Sequence, residues 1–488
     1  MNGEKTRYLY DALLFIVAGA LYSPSLQCGF VGDDLIYFIG NRFIESFDFM
    51  TILRSGAIGF DYLPLRDLSL ALDYQLWGKN PFGFHLTNVL LFALTAVIVK
   101  HLFLDLSAFL TKPDGKSEET PAFLAALIFA VHPNHREVVY AVYNRGALLT
   151  VLFSGLACLF FLRFLQGHRG RYVYYAAAFF CYLLALSARE YSIILPIALT
   201  LMLFFDDSTK METHLMYMIP FFVSAAIFYG LYKEYAVAAG FILPSSEPLL
   251  SEIIAKTAVA AKISLFYLIR MVTSLGVFVF DDTLPLALLS ISVVGGLLYV
   301  AYTMRRRYPH LLYGMLFYLI CLAPVLNFFR TLPIVSPRYS FLACIGLFFI
   351  LMAVPRVRAK KYILAACVIL TLSWSLLTLY KTAYWRDNVS FWETMAARDK
   401  TASAFTQLGY AYLDALQYEK ALETLRKVLP PPMDPRYHAA VGNACLTLGD
   451  YQCAITSFET ASALGADGST VPLNRARQYK ASGEAPTE

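Results

Sequence analysis

Apolar runs and polar breaks alternate along most of the chain. Runs at about 12–30, 86–99, 122–131, 148–162, 173–186, 192–205, 215–232, 284–302, 311–329, 339–354 and 362–379 read as helices crossing a bilayer, whose hydrocarbon core takes about 20 apolar residues to span. The run at 122–131 is short, but parity requires it: Lys112 and Lys116 mark one inner loop and His168-Arg169-Gly170-Arg171 the next. Residues 257–280 are apolar enough to span, yet they contain Lys262 and Arg270, and counting them would put Arg305-Arg306-Arg307 outside. This segment is therefore expected to lie in, or re-enter, the outer interface. The count is then about eleven crossings, with Lys5 and Arg7 holding the N-terminus inside and the C-terminus falling outside. The first run reads as an uncleaved anchor, because the formal cleavage site Ala18-Gly19-Ala20 lies within it. A long loop from 31 to 84 contains an amphipathic piece, with Leu65, Leu68, Leu72 and Leu76 at helical spacing, expected to lie along the interface.

Composition agrees with an all-α polytopic membrane protein. Hydrophobic residues make up 58% of 488 positions and charged ones 15%, where soluble domains carry about 25% charged residues; the mean hydropathy is +0.55. A net charge of +5 records topology here, and no basic patch with interleaved aromatics suggests a nucleic-acid partner. Cys158, Cys181, Cys321, Cys344 and Cys367 lie in apolar runs as small packing residues. Cys445 and Cys453 are placed to meet across a helical hairpin in an oxidising compartment, with plain core packing the simpler reading.

Composition shifts after Trp385, dividing a membrane domain, 1–384, from a soluble helical domain, 385–488. In the latter a period of 33 aligns Leu408-Gly409 with Val441-Gly442, Tyr418 with Tyr451, Ala421 with Ala454 and Leu425 with Phe458. This resembles the tetratricopeptide repeat, in which small residues let antiparallel helices approach and aromatics fill the gap. About two repeats make a small docking platform or a lid, and residues 474–481 read as a terminal helix.

By this topology the outer side receives Asp33-Asp34, His132-Pro133-Asn134-His135-Arg136-Glu137, Tyr143-Asn144-Arg145, Ser187-Ala188-Arg189-Glu190 and Ser336-Pro337-Arg338-Tyr339. Outer arginines oppose the positive-inside bias; one alone could snorkel from a helix end. Several together, beside a carboxylate pair, suggest an anion site next to a base. Arginines would hold a lipid-linked phosphate and stabilise its charge as it leaves, and Asp33 or Asp34, with Asp33 preferred, would take the proton from an attacking hydroxyl. The plain alternatives are that the acidic doublet only ends a helix and that Glu137 is a first-turn carboxylate favoured by the helix dipole. In the same vein, His132 and His135 could merely cap their turn. Arg66 lies on the interfacial helix, where Asp67 or lipid headgroups could pair with it.

The ordered set Val31-Gly-Asp-Asp34, Tyr62-Leu-Pro-Leu-Arg66-Asp-Leu, Asn80-Pro-Phe-Gly-Phe-His-Leu-Thr-Asn88, His132-Pro-Asn-His-Arg-Glu137, Arg189-Glu190, Arg338-Tyr339 and Trp385-Arg-Asp-Asn-Val-Ser-Phe-Trp392, followed by repeats, resembles the transmembrane and tetratricopeptide repeat-containing O-mannosyltransferases and their bacterial relatives. The resemblance implies a GT-C glycosyltransferase fold, a polyprenyl-phosphate sugar donor and inverting transfer to a hydroxyl, with protein Ser or Thr as acceptor. It implies Asp33 or Asp34 as base and Glu137 as a further catalytic group. Arg66, His132, His135, Arg145, Arg189, Glu190, Arg338 and Tyr339 would be substrate-binding, Arg338 at the donor phosphate. A divalent cation on the acidic doublet is left open, as no other metal-ligand spacing occurs. The short repeat tail points to a bacterial inner membrane, with site and repeats periplasmic and membrane lipids as neighbours. Two other classes stay open: a lipid-linked sugar transporter, needing arginines but no base, and a non-catalytic scaffold presenting the repeats.

Overall fold

The computed structural model describes residues 2–55, 62–111, 119–205, 211–238, 249–273, 284–326, 336–356 and 360–482. Lys112 and Lys116, and residues 274–280 and 327–329 of the apolar runs, lie outside the described residues. The chain divides into two units: residues 1–28 with 33–381, and residues 29–32 with 382–488.

The described residues of the first unit form helices joined by turns and short loops, with no strand among them. Its main elements are α1 (Asn2–Tyr22), α2 (Pro64–Trp77), α3 (Pro81–Leu110), α4 (Glu119–Val131), α5 (Arg145–Leu165), α6 (Arg171–Ala188), α7 (Leu195–Phe204), α8 (Ile219–Ala238), α9 (Leu249–Thr273), α10 (Leu284–Thr303), α11 (Pro309–Leu322), α12 (Cys344–Phe349) and α13 (Lys360–Tyr380). Seven of the eleven predicted spanning positions hold helices long and apolar enough to cross a membrane, and shorter apolar helices occupy the other four. The protein is an all-α, multi-pass membrane protein. The C-terminal end of α9 packs on the loop after α4: His132 Nε2 lies 3.0 Å from the Met271 carbonyl oxygen, and Asn134 donates to the Arg270 carbonyl at 3.3 Å.

Local sequence explains where elements start and how closely they meet. Asn80 caps α3 by accepting from the Phe82 amide, with Pro81 at the first helical position. Gly314 of α11 and Gly346 of α12 allow backbone contact: a methyl group on either would collide with the other's carbonyl oxygen. Beneath the loops that follow α1 and α4, Phe92, Phe129 and Phe341 stack on one another. Tyr22 meets Phe92 and Tyr140 edge-on.

The second unit contains α14 (Asn388–Asp399), α15 (Ala402–Asp414), α16 (Tyr418–Leu425), α17 (Pro435–Thr447), α18 (Tyr451–Ala463) and α19 (Thr470–Ser482). Asp387, Thr401, Asp434 and Asp450 each cap the helix that follows. The 33-residue period has a packing cause. A methyl group on Gly409 would come within 2.5 Å of Leu425, and one on Gly442 within 2.7 Å of the Phe458 ring, so each hairpin closes on one small and one large residue of its own repeat. α19 buries Leu473 and Ala476 against the second hairpin. Cys445 and Cys453 are disulfide-bonded across that hairpin, with Cα atoms 5.8 Å apart. This departs from the simpler expectation of core packing: the turn between α17 and α18 brings the last turns of one helix beside the first turn of the next.

Candidate functional site

Asp33 and Asp34 open a single turn of helix, Asp33–Tyr37. Neighbours on a helix point about 100° apart, and the doublet accordingly splits. Asp34 is fully buried and accepts from the Tyr143 amide at 2.6 Å, tying the first loop to the one before α5. Asp33 faces outward, its side chain 38% exposed, with Oδ2 3.8 Å from Arg338 Nη1. The protein crowded around Asp33 disfavours its charge and raises its pKa; Arg338 and Arg189 oppose that rise and Glu137 adds to it. As the two carboxylates diverge, they make no two-carboxylate cradle for a divalent cation, and no chemical step is routed through one. Among the described residues, the one cluster of three with metal-ligand spacing is Cys445, Asp450 and Cys453, whose two sulfurs are bonded to each other.

Arg338 lies in the turn Pro337–Ser340, and its Nη1 is 3.2 Å from Glu137 Oε1. The Ser336 hydroxyl also donates to Glu137, fixing that carboxylate. Tyr267 of α9 donates to the Ser336 carbonyl at 2.9 Å, so α9 supports the arginine's turn. Arg338 Nε is buried without a hydrogen-bond partner among the described residues, while the guanidinium carbon lies 5.3 Å from the centre of the Tyr339 ring. A cation thus stands between two carboxylates, one clamped and one reaching the surface.

The other arginines divide by how their donors are used. Arg145 is enclosed: it meets Asn88 Oδ1 at 2.8 Å, Ser69 Oγ at 3.0 Å, the Phe84 carbonyl at 2.9 Å and Asp73 Oδ2 at 2.6 Å, bracing α2 and α3 against α5. Arg66 pairs with Asp67 at 2.8 Å, both fully buried, and lies over the Tyr143 ring at 4.7 Å. Arg189 pairs loosely with Glu190 at 3.9 Å and is near enough to influence Asp33. The histidines stand behind this group. His132 accepts from the Asn134 amide at 3.2 Å, capping its own turn, and meets Trp374 edge-on; burial lowers its pKa to about 4. His135 is enclosed by Phe92, Phe129 and Phe341.

The structure therefore brings Asp33, Glu137, Arg338 and Tyr339 together, with Arg189 and Glu190 close by. It places Asp34, Arg66 and Arg145 as their frame and His132 and His135 in the aromatic layer. Sequence reasoning did not single out Ser336, Tyr191 or Asp73. Tyr191 is buried, its hydroxyl has no hydrogen-bond partner among the described residues, and it feels the charges of Arg189, Glu190 and Arg338. Its signal was adjacency to Arg189-Glu190. Asp73 gave none beyond being acidic on an otherwise amphipathic helix.

Fold and site together define an all-α, multi-pass membrane protein carrying a carboxylate–arginine cluster where the loops after α1, α4 and α11 meet. The chain is similar to the protein O-mannosyl-transferases of the TMTC group. It is 33% identical over 154 residues to protein O-mannosyl-transferase TMTC3 of Mus musculus, covering 29% of this chain and 15% of that protein. Against TMTC3 of Homo sapiens the identity is 34% over 164 residues, 31% of this chain and 16% of the relative. TMTC4 of Homo sapiens is 33% identical over 158 residues, 29% of this chain and 21% of the relative. The chain thus spans less than a quarter of the length of these relatives. No protein-family model and no solved structure matches it.

Proposed function

We propose that the protein is an integral-membrane glycosyltransferase of GT-C type that moves a sugar from a polyprenyl-phosphate donor to an acceptor hydroxyl, with protein Ser or Thr as acceptor. The observation that carries this reading is the Asp33–Arg338–Glu137 arrangement, an accessible carboxylate beside a half-buried guanidinium whose Nε is enclosed. Asp33 takes the proton of the acceptor hydroxyl as its oxygen bonds to the sugar's anomeric carbon. The bond from that carbon to phosphate breaks, and the electron pair leaves with the phosphate. Attack opposite the leaving group inverts the anomeric centre. Arg338 stabilises the departing phosphate, and Glu137, held by Ser336, aims the guanidinium. The geometry favours Asp33 over Asp34 as base, since Asp34 is buried and committed to the Tyr143 amide. The relatives' printed name, protein O-mannosyl-transferase, supports mannose as the sugar. The reading places the chain in a bacterial inner membrane with the site and the tetratricopeptide-like unit on the periplasmic side, where that unit docks the acceptor.

Mass spectrometry of periplasmic and surface proteins tests this in matched cells with the wild-type chain, with Asp33→Asn, and without the chain. A hexose mass on Ser or Thr peptides is expected only in the first. Three identical profiles, with lipid and polysaccharide fractions also unchanged, would overturn catalysis and favour a scaffold.

A further inference from the structure

Residues 29–32 belong structurally to the C-terminal unit, although they follow the first membrane helix in sequence. The Gly29 amide donates to the Arg386 carbonyl at 2.9 Å, and the Gly32 amide donates to Asn388 Oδ1 at 3.0 Å. Gly32 has φ +54°, a left-handed conformation that a side chain strains. A methyl group there would stand 3.0 Å from the Phe391 ring. Phe391 is itself held between Trp385 and Trp392, with ring centres 5.1 Å from each. Asp387 caps α14 through the Ser390 amide at 2.8 Å, so the helix start that presents Asn388 and Phe391 is a built feature. The next residue in the chain after Gly32 is Asp33.

We propose that the segment Trp385-Arg-Asp-Asn-Val-Ser-Phe-Trp392 is a clasp on residues 29–32, and that Asn388 and Phe391 are positioning residues for Asp33. The inference rests on the reading of Asp33 as base. A carboxylate must sit within hydrogen-bond reach of the proton it accepts, and a misplacement of about 1 Å can cost about a hundredfold in rate. Asp33 opens only one turn of helix, Asp33–Tyr37. That turn is held on one side by Asp34 through the Tyr143 amide and on the other by the peptide bond to Gly32. Within the first unit the turn is also held by Tyr37, whose ring centre lies 5.1 Å from that of Tyr143; the clasp fixes the residue that precedes Asp33 in the chain.

The test uses the full-length protein in liposomes, with a polyprenyl-phosphate mannose and a Ser/Thr-rich peptide as probes, and follows hydrogen exchange of residues 29–37 in parallel. Asn388→Ala removes the acceptor oxygen, whereas Asn388→Asp keeps one. For Asn388→Ala we expect kcat to fall about tenfold to a hundredfold, donor KM to stay within about twofold, and exchange at 29–37 to rise while the hairpins α15–α16 and α17–α18 keep theirs. Asn388→Asp is expected to restore both rate and protection. Gly32→Ala attacks the clasp from the other side, and Phe391→Leu in the same chain should recover part of its loss. Unchanged exchange at 29–37 in both Asn388→Ala and Gly32→Ala overturns the clasp whatever the activity. Unchanged kcat in Asn388→Ala, with Asp33→Asn inactive, overturns the positioning role. Activity in Asp33→Asn instead overturns the base assignment, and the exchange arm still decides the clasp.

Discussion

At the end of the bundle that holds the N-terminus, Lys100 is fully buried, with Nζ 2.7 Å from Asp11 and 3.2 Å from Glu119. His101 lies 3.1 Å from Asp11, and Arg7 reaches His101 at 2.9 Å. At the other end Arg338 likewise stands between two carboxylates, Glu137 and Asp33. Each centre sets a cation between two acids, with Arg7 and His101 added around the first, but the two are built differently. Lys100 binds α1, α3 and α4 together, and its acids are held at short distance. Around Arg338 one acid is clamped by Ser336 and the other is left at 3.8 Å, its carboxylate reaching the surface. The first cluster holds both acids in short contact with its cation, whereas the second leaves one carboxylate open to solvent, the kind of arrangement in which perturbed titration accompanies function.

The sharpest break between the two is chemical. Asp33→Asn should lower sugar transfer by about 10²- to 10⁴-fold while the solubilised protein elutes unchanged in size-exclusion chromatography. Arg338→Gln should cost about 10²- to 10³-fold in kcat, measured in the same assay. Lys100→Met should behave oppositely: a loss of about 2 kcal/mol in stability, below the full cost of breaking a buried pair because Asp11 and Glu119 are partly exposed. Thermal unfolding in nanodiscs would register it, with transfer per folded molecule unaltered.

The pH profile refines the contrast. Protonated Asp33 cannot accept a proton, so the rate rises as pH climbs through its raised pKa. Glu137→Gln removes a charge that raises this pKa, so the acid limb of kcat/KM should move to lower pH. A variant lacking the Arg338 cation, which lowers it, should move the limb upward if its residual rate is measurable. The smallest effect belongs to Arg7→Ala, whose partly exposed side chain should contribute about 0.5 kcal/mol or less. A tenfold loss of transfer in Lys100→Met would erase the distinction between the clusters.

Apolar periodicity made the helices of the first unit legible, and the repeat columns of the second followed because small and large residues recur where two helices must close. The loop residues were legible as a set, since charges at the ends of spans are costly and conspicuous. Their division of labour was not. Arg145 and Arg338 look alike in sequence; only folding brings Asp73, Ser69 and Asn88 around the first and leaves the Nε of the second without a hydrogen-bond partner among the described residues. The two aspartates differ by one position, and the register of a single helical turn sends one inward and one outward. His132 and His135 read as site residues through the family resemblance of the 132–137 turn. Of their aromatic surroundings only Phe129 is near in sequence; the other rings come from α3, α12, α13 and the turn before α12.

The crossing of α11 and α12 has a bearing on all of this. Gly346 lies eight residues beyond Arg338 on one continuous stretch of chain, and it rests directly on the backbone of Gly314. The crossing therefore works as a depth stop. With hydrogen in place of a side chain at both positions, α12 seats fully and the guanidinium comes to the level of Glu137. One added carbon would lift the helix and carry the arginine with it, detuning the site from a point that touches neither substrate nor any charged group.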